Sequence, residues 1–270
     1  MRLSNAFLPL LLATIVVRAH PEIEGALTRV NALIAADPRD AALYLERGEL
    51  YARHREWIHA EANYLAAAEI APHAPGIHRA RGALALEQQR PAEAKGLLDE
   101  AIRLDPGDIP ARILRARARA ALGEKSAALA DYDLALAAAR TPSPDLILER
   151  VALLEPAAAV RALDDAIAGL GTVPALELRA LALEEKAGRV DAALARLERL
   201  TAAAERKETW LRRRGDLLLR AGRTAEARAA YSAALAAIAS LPAWLRESPE
   251  LETLAKELAT LSASRPSSSP

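Results

Sequence analysis

Small and large apolar residues return every 34 positions along most of this chain. Gly48, Tyr51, Ala60, Tyr64, Ala67 and Pro72 form one set; Gly82, Ala94, Leu98, Ala101 and Pro106 form the next. Within a set the apolar places lie three and four residues apart, the period of a helix with one buried face. Each period holds two such stretches with a short polar break between them. A period of this length predicts helix–turn–helix units, each burying its apolar face against the next. The small residue in the first helix and the alanine early in the second let the paired helices approach closely. The tyrosine or leucine four residues on fills the gap, and the closing proline ends the helix.

Laid along the chain, the pattern predicts one helix over 21–36, with Ala26, Val30 and Leu33 in the places of a second helix. Residues 20–38 then read as a half repeat capping the N-terminal end. Residues 39–241 divide into six repeats, at 41–74, 75–108, 109–142, 143–170, 174–207 and 208–241. The third keeps Gly123, Ala128, Tyr132 and Ala135, and the sixth keeps Gly215, Gly222, Ala227, Tyr231 and Ala234. The fourth is degenerate, about three residues short at a turn expected near 154–157. The fifth keeps Gly188, Ala193 and Leu197 but has no closing proline. Beyond Leu241, Leu251, Leu254, Leu258 and Leu261 recur at helical spacing, so a C-terminal capping helix is expected within 242–262. Residues 263–270 are a serine–proline tail, expected to be disordered.

Composition narrows this reading. Aromatic residues make up only 3%, so alanine and leucine must build the core. Both are strong helix formers, and the class is all-α. Lys+Arg and Asp+Glu number 36 each, a balance that argues against nucleic acid or an anionic membrane surface as partner. There is no cysteine, which excludes disulfides, thiolate metal sites and thiol catalysis. The first nineteen residues differ from the rest. Met1-Arg2 is followed by an apolar run over 6–17 and the small residue Ala19, the pattern of a secretory signal peptide over 1–19. The run is short for a membrane span, so export is expected, to the periplasm, exterior or surface of a bacterium, with cleavage after Ala19 as the first reading and an uncleaved N-terminal anchor as the alternative.

Chemistry has little to work with. The sequence offers no glycine-rich phosphate loop and no nucleophile elbow. His54, His59, His73 and His78 fall in the first two repeats at spacings that do not share a helix face. Acidic neighbours such as Asp164-Asp165 and Glu184-Glu185 point apart on a helix and read as solvated faces. No catalytic residue, metal or cofactor is expected. Arg112, Arg115 and Arg119 share one face of a predicted helix. They read either as an ion network, with Asp145, Glu149 and Glu155 as partners, or as a notch for an anion.

The repeated glycine, alanine, tyrosine and proline positions resemble those of tetratricopeptide repeat proteins over about 21–241. The consensus tryptophan is replaced throughout, by Tyr44, His78, Arg112, Leu146, Glu177 and Leu211. The resemblance implies a right-handed α-solenoid whose first helices line a concave groove for a protein or peptide. In this register the groove carries Glu46 and Glu49, then Arg79 and Glu87, then Arg117, and finally Arg212, Arg213 and Arg220. It would be acidic early and basic late, suiting a peptide with an acidic end near the sixth repeat. The lysine–asparagine clamp by which some relatives hold chaperone tails is missing: Leu45, Glu49, Ala80, Pro110 and Leu114 stand in its places. The expected function is a non-catalytic protein-binding scaffold of the bacterial envelope. The alternative is an accessory or regulatory subunit of an exported enzyme.

Overall fold

The computed structural model describes residues 21–263; the proposed leader, 1–19, and residues 264–270 of the proposed tail lie outside the described residues. Among the described residues every regular element is a helix. The chain divides into two compact units, Met1–Asp131 and Tyr132–Pro270.

The first unit opens with α1 (Pro21–Ala36) and continues as two helical hairpins, α2 (Ala41–Arg53) with α3 (Trp57–Ile70) and α4 (Pro75–Glu87) with α5 (Pro91–Leu104). Helix α6 (Ile109–Ala121) follows, and α7 (Lys125–Ala138) carries the division between the units. Starts are chemically marked. Asp40 and Asp108 accept hydrogen bonds from the amides of Ala42 and Ala111, each at 2.9 Å, satisfying donors that a helix start leaves open. Pro75 and Pro91 sit at first helical positions, where a missing N–H costs nothing.

The turn inside each hairpin is built alike. The amides of Glu56, Arg90 and Glu124 reach back to the carbonyls of Tyr51, Ala85 and Arg119. This six-to-one closure needs a left-handed residue just before the bonded amide. Gly123 supplies it without strain, while Arg55 and Gln89 adopt φ of 62° and 57° in the same place. Close approach explains the glycine earlier in the period. A β-carbon on Gly48 would overlap the ring of Tyr64, and one on Gly82 would lie 2.7 Å from Leu98. Ala60 and Ala94, facing the first helices, have no exposed surface.

The second unit has a two-turn helix, α8 (Pro144–Val151), paired with α9 (Pro156–Leu170). Then come α10 (Pro174–Lys186) with α11 (Val190–Ala203), and α12 (Glu208–Arg220) with α13 (Thr224–Ala239). A single turn, α14 (Ala243–Arg246), leads to α15 (Pro249–Ala263), which lies on α13 and buries Leu251 and Leu258. The fourth repeat is short in a different place than expected. Its helices start at Pro144 and Pro156, twelve residues apart, against sixteen for α10 to α11 and α12 to α13. The four missing residues are about one turn of the first helix. Helix α15 runs through Ala263, one residue beyond the expected end of the capping helix.

The consensus tryptophan position turns out to hold a tether in the first unit. Tyr44 Oη, His78 Nε2 and Arg112 Nη2 donate to the carbonyls of Pro38, Pro72 and Pro106, at 3.3, 2.8 and 2.8 Å. Each side chain reaches six residues back and pins the closing turn before it. The second unit fills the place otherwise, with buried Leu146 and with Glu177.

Candidate functional site

A groove of about 800 Å³ lies within the first unit, formed by the first helices α2, α4 and α6. Ala83, Leu84, Ile113 and Leu114 give it an apolar floor, and Trp57 stands at one end beneath Arg55, whose guanidinium lies 5.8 Å from the ring centre. Charges line it at fixed steps. Glu49 and Arg53 come from α2, Arg79 and Glu87 from α4, and Arg117 from α6. Glu49 and Arg117 are two periods apart, and Arg53 and Glu87 are one period apart, so the 34-residue register carries each charge to the groove wall.

Arg79 is fixed rather than free. Its Nη1 lies 2.6 Å from Oδ2 of Asp108, a buried residue that also caps α6. Tyr64 lies behind the groove, and burial, reinforced by Glu49 against the opposing pull of Arg53, pushes its phenol up to about 12. The groove therefore presents neutral aromatic and aliphatic surface with both signs of charge around it, a lining that suits a peptide segment.

Of the residues expected to bind a partner, Glu49, Arg79, Glu87 and Arg117 meet in this groove. Glu46 stands outside the lining and pairs with Arg29 at 3.5 Å. The three later arginines belong to the second unit and are engaged there. Arg212 lies 3.1 Å from Glu257, Arg213 lies 3.1 Å from Glu185, and Arg220 donates to the carbonyl of Asp216. The expected basic end is thus largely neutralised by neighbours. Arg53, Arg55 and Trp57 are groove residues that the sequence reading missed. Arg53 could have been found, since it stands one period before Glu87.

Of the two readings of Arg112, Arg115 and Arg119, their contacts build an ion network and not the alternative, an anion notch. Arg112 turns to the Pro106 carbonyl, while Arg115 and Arg119 both lie 2.7 Å from the carboxylate of Asp131. Arg115 also reaches Asp99 at 2.8 Å. Asp131 is buried, so two guanidiniums gather on it and their charge is met within the same unit. The partners are Asp99 and Asp131 rather than Asp145, Glu149 and Glu155, because arginine on a first helix reaches the second helices on either side of it.

A second ion network takes in Asp164 and Glu184, two of the carboxylates expected on solvated faces. Arg196, buried in α11, donates to Glu184 at 2.7 Å, Glu177 at 3.0 Å and Asp164 at 2.6 Å. Burial opposes ionisation of Glu177, but hydrogen bonds from Arg199 and Arg196 prevail and hold its carboxyl below the usual range. Glu184 is buried, unlike the solvated face expected of it, while Asp164 stays exposed and reaches Arg196 from the surface. Among the histidines, His59 stacks on Tyr51 at 5.0 Å and pairs with Glu56, while His78 is the tether to Pro72.

Helical hairpins repeated at a 34-residue period, with a groove lined by first helices, define an α-solenoid repeat protein. The family model for the tetratricopeptide repeat matches residues 78–144 and 180–242, so the chain carries tetratricopeptide repeats. Three solved structures share the fold. PilW, described as a widely conserved type IV pilus biogenesis factor, is 20% identical over 70% of this chain and 91% of its own, with a TM-score of 0.58. PilF of Pseudomonas aeruginosa is 20% identical over 67% and 84%, with a TM-score of 0.56. A tetratricopeptide repeat protein of Parabacteroides merdae is 17% identical over 88% and 93%, also with a TM-score of 0.56. No curated protein matches by sequence. No helix of the described residues is long and apolar enough to cross a membrane.

Proposed function

We propose that this protein is a non-catalytic adaptor that holds a segment of a partner protein in the α2–α4–α6 groove. The observation that carries this reading is the groove itself: an apolar floor ringed by Glu49, Arg53, Glu87 and Arg117 on successive first helices. Apolar contacts supply affinity, and the alternation of charge selects a segment of matching pattern. The bacterial envelope is the proposed setting. It rests on the leader-like pattern of 1–19, and the fold shared with PilW, a pilus biogenesis factor, is in keeping with it.

The test is site-specific photocrosslinking in living cells, with a photoreactive residue replacing Ala83 or Leu114 in the groove, or exposed Ala202 on α11 as control. A partner captured at Ala83 and Leu114 and not at Ala202, through one defined peptide, is the expected outcome. Equal capture at all three positions sinks the groove reading. A single partner recovered in fixed ratio would identify an accessory subunit. Mass analysis of the same material tests the setting: a mature chain beginning at His20 in the envelope is expected, and an unprocessed cytosolic chain overturns export.

A further inference from the structure

The outer surface of the first unit carries a feature that the groove does not use. Arginine recurs on the first helices at Arg47, Arg81 and Arg115, one period apart. The first and third are clasped by acceptors sixteen residues before and after them. Arg47 donates to Asn31 at 2.7 Å and Asn63 at 2.6 Å. Arg115 donates to Asp99 at 2.8 Å and Asp131 at 2.7 Å. For Arg81 those two places are Leu65 and Leu97, and among the described residues Arg81 has no hydrogen-bond or ion-pair partner.

The break in the pattern coincides with an apolar stripe. On α3, Ile58, Ala62 and Leu65 share one face and are all exposed, Ile58 to 83% and Leu65 to 43%. The same positions on α1 are Glu24, Thr28 and Asn31, and on α5 they are Ala92, Gly96 and Asp99. Of these three helices only α3 presents large aliphatic side chains there, and of the three arginines only Arg81, between the places of Leu65 on α3 and Leu97 on α5, is left without an acceptor. Elsewhere in the unit a carboxylate or amide of the chain itself completes the fork. A guanidinium on a partly covered surface gains most from a carboxylate that meets it in the same fork geometry.

We infer that the outer face of α3 docks an amphipathic helix of a partner protein. The aliphatic residues of that helix cover Ile58 and Leu65, and its carboxylate takes the acceptor place that the chain leaves open at Arg81. This surface is separate from the groove and does not depend on the groove reading.

The probe is a displayed library of 16-residue peptides, with aliphatic residues fixed at helical spacing and all other positions random, selected on the full chain. Enriched peptides should carry aspartate or glutamate beside the aliphatic stripe. Their synthetic versions should lose at least tenfold in affinity with Arg81→Glu and with Ile58→Glu, and changing the peptide carboxylate to lysine should restore binding to Arg81→Glu. Both variants alter exposed or half-exposed side chains, and unchanged thermal melts would confirm that they fold. No enrichment, or peptides indifferent to both variants and lost in the groove variant Ala83→Glu, overturns the proposal. Dimerisation of the free chain that Arg81→Glu abolishes would also overturn it, by placing a second copy of this chain on the face.

Discussion

At the scale of single residues, the fold depends on small side chains at points of contact. Ala60 and Ala227 have no exposed surface, so leucine at either should cost about 1–3 kcal/mol through overpacking, read as a lowered melting temperature. Gly215 makes a sharper case. Alanine is a better helix former by about 1 kcal/mol, yet a β-carbon there would overlap the ring of Tyr231. Gly215→Ala should therefore destabilise, and a higher melting temperature would refute the contact. The opposite sign is expected at Gln89, which holds a left-handed conformation that glycine adopts freely. Gln89→Gly should gain about 0.5–1 kcal/mol in chemical denaturation. These positions divide by how far sequence could read them. Close-approach glycines announce themselves by recurring opposite a large residue. The left-handed turn was hidden, because two of its occupants are arginine and glutamine.

At the scale of elements, what was legible depended on whether the period survived. Helix α1 was readable from Ala26, Val30 and Leu33 alone. Leu33 nevertheless stays 45% exposed although it holds the place of fully buried Ala67. Among the described residues, α1 has no first helix of its own to cover that side. In the fourth repeat both markers, the glycine of the first helix and the left-handed turn residue, are missing together. The sequence showed that residues were lost but set the loss at the turn near 154–157, whereas α8 is where they are gone. With only two turns, α8 should show the fastest amide exchange among the first helices of the second unit. The ion network on Arg196 was unreadable for another reason: its carboxylates come from α9 and α10, far apart in sequence. Arg196→Ala would leave Glu184 buried without its cation and Glu177 with Arg199 alone, at a cost of about 3–5 kcal/mol.

At the scale of the whole molecule, stability should change differently at the two ends of the pH range. Glu177 has its carboxyl held below the unfolded value of about 4.3. Its contribution is complete above that value and is lost as pH falls below it, so the second unit should weaken in acid. Tyr64 and Tyr231 are raised to about 12, chiefly by burial, from about 10 when unfolded. Their contribution is complete below pH of about 10 and is lost as pH rises towards 12, one tyrosine in each unit. Denaturation midpoints followed across pH would check both limbs, with Trp57 fluorescence reporting the first unit and Trp210 the second. A flat acid limb at Trp210 would refute the role given to Glu177.

The tether to the closing proline has a consequence for how such a chain changes over time. Tyrosine, histidine and arginine share almost no chemistry beyond an N–H or O–H at the end of a long side chain. All three nonetheless pin the same turn in successive repeats. In the first unit the place asks for reach and a donor, not for identity. Exchanges among long donors there should leave stability nearly unchanged, so each repeat can drift on its own while the spacing between repeats is kept. Lineages that diverge this way keep their architecture after the resemblance between their residues has faded.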